Sequence, residues 1–336
     1  MAGDPIVLNE LRKDAARVLM YAPSASLLDL GDGVLCLEFH CKGNTLDGDT
    51  VAVAEYAFET IPGRYAGLVV GNQGTHFSFG ANLRWLLSVL DDIGEDRARF
   101  HPIAKRVQRV TTGMRTAPFP TVSAPFGLTI GGALELSMYA DFVQAHADVR
   151  ASLPEVAVGI LPDLGGTSEL YARCVDAAGE GNESAALSEA FQTIVFMRAS
   201  QDASEARTLQ FLRTRDRISE DLSRLLDDAK QRVLDLASGY RVPSHRSAIP
   251  VLGDRGFAAL ESAIDAAIAN GTASGYDGVV ARAVARVMTG GPGPARTLSH
   301  EALMDLETQY FESLIFDPRT RARMEHMLEH GTPLRN

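Results

Sequence analysis

Cysteine is nearly absent from this chain. Three in 336 residues, Cys36, Cys41 and Cys174, are too few and too scattered for a disulfide framework or a zinc site. Long apolar runs are missing as well. None approaches the ~20 residues of a membrane span, and the opening "MAGDPIVLNELRKDAARVLM" sets acids where a signal peptide needs an unbroken apolar core. A cytoplasmic location is the expectation. Positive charge is in deficit: 43 acidic against 32 basic side chains leave a net −11, which argues against nucleic acid or an anionic membrane as the main partner. A phosphate-bearing small ligand stays compatible, since it needs only a local cation. There is no G-x-G-x-x-G following a strand, no fixed-period repeat and no low-complexity tract. What is present, 46% hydrophobic and 22% charged residues, is the composition of a folded globular chain.

Hydrophobic periodicity divides the chain by character. Residues 5–20 predict a short amphipathic helix with Ile6, Leu8, Leu11, Ala15 and Val18-Leu19 on one face, stopped by Pro23. "GVLCLEFH" and "AGLVVGN" then read as buried strands, followed by "HFSFG" and the helical "ANLRWLLSVL". The same grammar recurs in "FPTVSAPFGLTI", the helix "GALELSMYAD" and the strand "FVQAHA". Strands alternating with helices across glycine-bearing turns indicate a layered α/β core. From about residue 185 the pattern is helix after helix. "DRISEDLSRLLDDAKQRVLDLASGY" spaces Ile218, Leu222, Leu225, Ala229, Val233, Leu236 and Tyr240 helically, and "GFAALESAIDAAIANG" ends in Asn-Gly, a helix stop. Ser299 is placed as an N-cap and Pro318 opens the last helix. "RVPSHRSAIPVLGDRG" and "TGGPGPARTLS" read as linkers.

Three stretches could carry chemistry. In "PFGLTIGGALELSMYADF" a glycine pair, Gly131-Gly132, precedes a helix whose first N–H groups lack intrahelical acceptors. Without side chains there, a carbonyl can approach and meet donors suited to a developing oxyanion. Glu135, three residues on, would sit in the first turn as a candidate general base. The same residues also fit a plain helix start with tight packing and an acidic cap. The second stretch, "RASLPEVAVGILPDLGGTSEL", isolates Glu155 among apolar neighbours beside another glycine turn, although an edge-strand glutamate facing water would look alike. The third, "GNQGTHFSFGANLRWLL", places Ala81 at a second apparent helix start, with an exposed N–H of its own. One oxyanion donor from each of two separate helix starts is what enolate chemistry on a thioester requires.

Taken together, "HFSFGANL", "PFGLTIGGALEL" and "LPEVAVGILPDLGGTSEL", in that order and spacing, resemble the crotonase or enoyl-CoA hydratase superfamily. The resemblance covers most of the chain. "SASLLDLGDGV" at Ser24–Val34 and the closing "RMEHMLEHGTPLRN" at Arg323–Asn336 are similar to the hydratase portion of bacterial bifunctional 3-hydroxyacyl-CoA dehydrogenase/enoyl-CoA hydratase proteins, here standing alone. It implies an α/β fold, a crotonase-like spiral of β-β-α units with a C-terminal all-helical region. It divides the chain into an N-terminal helical arm (1–23), a catalytic core (24–200) and a helical region for core covering and oligomerisation (201–336).

The resemblance also implies roles. Ala81 and Gly132 would donate the two oxyanion-hole N–H groups, with Gly80 and Gly131 lining the approach. Glu135 would hold and deprotonate the water that adds to the β-carbon, Glu155 would give or take the α-proton, and Lys42 would meet the CoA phosphates. Reversible hydration of a 2-enoyl thioester follows, with no metal and no redox cofactor; coenzyme A or phosphopantetheine enters only as part of the substrate. Isomerisation, dehydration of a carrier-protein thioester, or a non-catalytic scaffold for a partner dehydrogenase are the alternatives. Expected partners are an acyl-CoA or acyl-carrier thioester, further copies of the chain (a trimer or hexamer) and a separate 3-hydroxyacyl dehydrogenase. The chain departs from the family at Asp163-Leu164, where glycines are usual, which would narrow the acyl pocket or change its polarity, and at Ala133. "HMLEH" (His326 to His330) matches a zinc-protease pattern without an obvious third ligand and reads better as a solvated helix end.

Overall fold

The computed structural model describes residues 4–94, 96–243 and 248–336. Its chain falls into two compact units, each assembled from three separate stretches: residues 1–82, 109–151 and 199–244 in the first, and 83–108, 152–198 and 245–336 in the second.

The first unit is built on a seven-stranded sheet. Its strands are β1 (Val18–Tyr21), β2 (Ala25–Asp29), β3 (Val34–Phe39), β4 (Gly67–Val70), β5 (Thr121–Ser123), β7 (Phe142–His146) and β9 (Arg217–Ser219), side by side in that order. A separate two-stranded pair joins β6 (Leu128–Ile130) and β8 (Arg150–Ser152). β1, β2 and β3 form an antiparallel meander, and every later pairing in the large sheet is parallel, in the registers Leu37↔Val70, Val69↔Val122, Val122↔Phe142 and Ala145↔Ile218. β3 and β4 are buried at every residue, which is why they read as continuous apolar runs rather than alternating ones. The crossover from β3 to β4 runs through the helix Gly48–Thr60, capped by Asp47, which accepts from the N–H groups of Asp49 and Thr50 and from the Ser24 hydroxyl at 2.5 Å. The helix Leu225–Ala237 packs on β4, β5 and β7, with the Arg232 guanidinium over the Phe142 ring.

Two expectations fail in this unit. Residues 5–20 do not form one helix: a single turn spans Leu8–Leu11, and Val18–Tyr21 is the edge strand β1. Local and tertiary hydrogen bonds win over the weak periodicity. Asp14 turns the chain by accepting from Ala16 N–H, while Gln73 receives Leu8 N–H at 2.8 Å and donates to Ile6 C=O at 2.8 Å. The long helix read from residue 216 is also divided. Ile218 pairs with Ala145 in the sheet, Asp221 accepts from Ser223 N–H, and the helix proper starts at Leu225. Helical spacing of Ile218 and Leu222 was coincidence.

The second unit is helical. Gly166–Ala178 packs on Glu183–Val195, Gly253–Ala269 on Gly275–Met288, and Gly275–Met288 on His300–Ile315. Leu170, Tyr171, Ile194, Val280, Val284, Met288, Leu303 and Leu314 are buried among them. Ser299 caps its helix by accepting from Ala302 N–H, Pro318 opens Pro318–His330, and Asn270-Gly271 ends Gly253–Ala269, all at the places read from sequence. Both linker-like segments contain short strands: β10 (Ile249–Val251) and β11 (Arg296–Leu298) pair antiparallel. Residues 244–247 of the first segment lie outside the described residues. The C-terminal region is therefore helical, with β9, β10 and β11 as three-residue insertions that the helix-period pattern did not disclose. Among the described residues no helix is long and apolar enough to cross a membrane.

Candidate functional site

In the first unit, Phe77 to Asn82 runs between two neighbours. On one side Phe77 and Ser78 N–H donate to Phe126 and Leu128 C=O, and Ile130 N–H returns to Ser78 C=O. On the other, Phe79 N–H donates to Gly43 C=O, Leu46 N–H to Gly80 C=O and Asn82 N–H to Leu46 C=O, a parallel bridge centred on Ala81. Because Leu46 takes the groups on either side of Ala81, the Ala81 N–H is turned away from Leu46 by the alternation of extended backbone. Sequence reading placed this N–H at a helix start; the helix begins only at Leu83, and the bridge orients Ala81 instead.

Gly80 has φ +78°, and a Cβ built there would lie 2.7 Å from Ile130 O and 3.4 Å from Gly132 N. No other residue fits that contact, which brings Gly80 against the start of the helix Gly132–Tyr139. Gly131 turns the chain into this helix with φ 56° and ψ −131°, a conformation reserved to glycine. The first-turn N–H of Gly132 has no intrahelical acceptor. All eight helix residues are buried, and Glu135, 1% exposed, stands in the first turn where the helix dipole favours a carboxylate. Lys42 is exposed at the head of the turn Lys42–Asn44, whose Gly43 holds Phe79. Thus Lys42, Gly80, Ala81, Gly131, Gly132 and Glu135 are all carried by connected segments of one unit.

Glu155, Asp163 and Leu164 belong to the second unit. Glu155 opens the one-turn helix Glu155–Val158 after Pro154, and both its carboxylate oxygens are buried. Asp163 and Leu164 are half-buried ahead of Gly165, whose φ of 100° leads into Gly166–Ala178. Gln108 Nε2 donates to Asp163 C=O at 2.9 Å and Thr167 Oγ1 to Pro162 C=O at 2.8 Å, so this loop is fixed at both ends. Burial pushes the Asp163 carboxyl up to about 7.

One residue here escaped the sequence reading. Glu307, fully buried on His300–Ile315, accepts Ser168 N–H at 2.5 Å and so caps the helix Gly166–Ala178 from outside it. Burial raises its carboxyl to about 8, and the Asp163 charge adds to the shift. A signal did exist. Glu307 occupies the apolar stripe of its own helix, between the buried Leu303 and Met304 and the buried Phe311 and Leu314, where a carboxylate needs a partner.

Residues 31–180 match the enoyl-CoA hydratase/isomerase family. Over 326 residues the chain is 36% identical to the probable 3-hydroxyacyl-CoA dehydrogenase of Bacillus subtilis (strain 168), covering 96% of this chain and 41% of that protein. It thus spans about two fifths of the length of this curated relative. The solved enoyl-CoA hydratase of Bacillus halodurans aligns with a TM-score of 0.59 at 15% identity, over 90% of this chain and 99% of its own. That of Mycobacterium avium subsp. paratuberculosis K-10 gives 0.59 at 17% identity, over 94% and 100%. At such identities the likeness is one of fold. Residues 31–180 thus carry the match to the enoyl-CoA hydratase/isomerase family, and the chain shares the fold of the solved enoyl-CoA hydratases.

Proposed function

We propose that the protein catalyses reversible addition of water to a 2-enoyl thioester, with coenzyme A or a phosphopantetheine arm as the thiol part. The observation that carries this reading is the arrangement around Gly80: the Ala81 N–H is turned away from its bridge, and the Gly132 N–H starts a buried helix against Gly80. In the proposed reaction these two N–H groups hold the thioester oxygen and strengthen their hydrogen bonds as it becomes an enolate. Glu135 takes a proton from the attacking water as its oxygen bonds to the β-carbon. Glu155 delivers a proton to the α-carbon, and the enolate electrons return to form the new C–H bond. Lys42 supplies the cation for the CoA phosphates. Assembly as a homo-oligomer and a 3-hydroxyacyl dehydrogenase as the next enzyme belong to the same proposal, the latter supported by the name of the Bacillus subtilis relative.

The test is a panel of enoyl-CoA and enoyl-carrier thioesters, followed by loss of enoyl absorbance and by mass spectrometry. Gain of one water supports the reading. Movement of the double bond without a mass change replaces it with isomerisation, and co-purification with a dehydrogenase in the absence of any turnover replaces it with a scaffold.

A further inference from the structure

We propose that Thr320 and Arg323, on the helix Pro318–His330, are positioning residues for Glu155, clamping the carbonyls of Gly159 and Val156 in the turn that carries it. This rests on the role given to Glu155 above. The turn has little to hold it by itself. It is four residues long, and after one ordinary bond, Ala157 N–H to Pro154 C=O at 2.9 Å, its closing bonds, Gly159 N–H to Val156 C=O at 3.2 Å and Ile160 N–H to Glu155 C=O at 3.3 Å, fall at the long end of the range.

Its stiffness comes from the neighbouring helix. Thr320 Oγ1 donates to Gly159 C=O at 2.8 Å. Since that carbonyl can only accept, the Tyr276 hydroxyl, 2.5 Å from Thr320 Oγ1, must be the donor to it. Gly159 stands at φ +84°, and a Cβ there would meet Thr320 Oγ1 at 2.7 Å and Tyr276 Cε1 at 3.2 Å. Turn and helix therefore touch backbone to side chain. Arg323 secures the other carbonyl: its Nη1 donates to Val156 C=O at 3.3 Å. Its Nη2 meets Asp277 at 2.8 Å and Ser274 Oγ at 3.3 Å and its Nε donates to Asn336 Oδ1 at 2.8 Å, with the guanidinium 4.9 Å from the centre of the Tyr276 ring. Thr320 is fully buried and Arg323 is 1% exposed. A charge so deeply placed, with all three of its nitrogens engaged, fixes geometry rather than interacting with solvent. Displacing a catalytic carboxyl by about 1 Å is enough to cost on the order of 10²-fold in rate.

Thr320→Val keeps the shape and removes both hydroxyl bonds; Thr320→Ser keeps the bonds. Thr320→Val is expected to lower kcat for water addition, and α-proton exchange in D₂O, by about tenfold or more, with KM within about threefold, and Thr320→Ser to restore most of the loss. Combined with Glu155→Gln, Thr320→Val should add nothing, because both act through one group. Hydrogen–deuterium exchange of the peptide 153–162 gives a readout independent of turnover. It should speed up in Thr320→Val and in Arg323→Lys, but not in Ser299→Ala, which removes a helix cap elsewhere in the unit. Unchanged exchange of that peptide in both variants, or a loss that multiplies with Glu155→Gln, overturns the proposal. A wild-type protein that hydrates no enoyl thioester overturns the hydratase reading instead, while the peptide exchange still decides whether the clamp holds the turn.

Discussion

The two units present their functional groups by opposite means. In the first, the groups proposed to meet the thioester oxygen are backbone N–H groups, aimed by strand alternation at Ala81 and by a glycine-only turn before Gly132. Glu135 apart, side-chain identity matters there mainly by absence: Gly80 and Gly131 serve because nothing projects from them. In the second unit the groups are carboxyls, Glu155 and Asp163, on a turn and a loop that are held by Thr320, Arg323, Gln108 and Glu307 from other helices. Backbone donors need no titration state and tolerate most neighbours. Buried carboxyls depend on theirs, and the raised values of Asp163 and Glu307 show what desolvation does to such groups. The first unit should therefore be brittle to added volume, and the second to pH and to loss of hydrogen-bond partners.

The largest effect is expected at the carboxyls. Glu135→Gln and Glu155→Gln preserve volume, and each should lose roughly 10²–10⁴ of hydratase turnover. The double variant should lose far less than the product, since both groups serve one transition state. They should part company in D₂O. α-Proton exchange should vanish with Glu155→Gln and persist in part with Glu135→Gln. Wild-type turnover in Glu155→Gln would remove the second unit from the chemistry and collapse the comparison.

Next comes added volume in the first unit. Gly80→Ala would set a methyl group 2.7 Å from Ile130 O at a left-handed φ, so the segment must shift. A loss of about 10² in kcat is expected, the usual cost of misplacing one oxyanion donor, with a lowered melting temperature.

A smaller effect concerns pH and stability. With folded values of about 8 for Glu307 and about 7 for Asp163, the folded chain keeps protons that the unfolded chain releases near 4.5 and 3.8. Stability should then fall as pH rises through those windows, up to about 8, and level off above. Glu307→Gln keeps an acceptor for Ser168 N–H and removes one of the two contributions. Its melting temperature, relative to wild type, should rise between pH 5 and pH 8.5. A difference independent of pH would show that Glu307 is ionised in the folded protein.

The smallest expected effect is at Lys42, an exposed cation. Lys42→Ala should raise KM for a CoA thioester by a few-fold at low salt and by less at high salt, as screening dictates.

Much of this was legible in the amino-acid order. Buried strands announced themselves as apolar runs at 33–40 and 66–72, Ser299, Pro318 and Asn270-Gly271 marked helix ends, and Gly131-Gly132 with Glu135 marked a helix start. These are local properties: propensity, capping and the steric freedom of glycine act within a few residues. What local order could not disclose was partnership. Whether Val18–Tyr21 became helix or strand depended on β2 lying beside it, and whether Ile218 entered a sheet depended on Ala145. The Ala81 N–H owes its direction to Leu46, Gly166–Ala178 owes its cap to Glu307, and the turn at Glu155 owes its clamp to Thr320 and Arg323, more than 160 residues away. Each of these depends on a hydrogen bond whose partner is distant in the chain. The residues alone determined which backbone would be free to donate and which acids would be buried among apolar neighbours. Only the tertiary structure decided what holds them, because desolvation and hydrogen bonding are settled by what is packed alongside, not by what comes next in the chain.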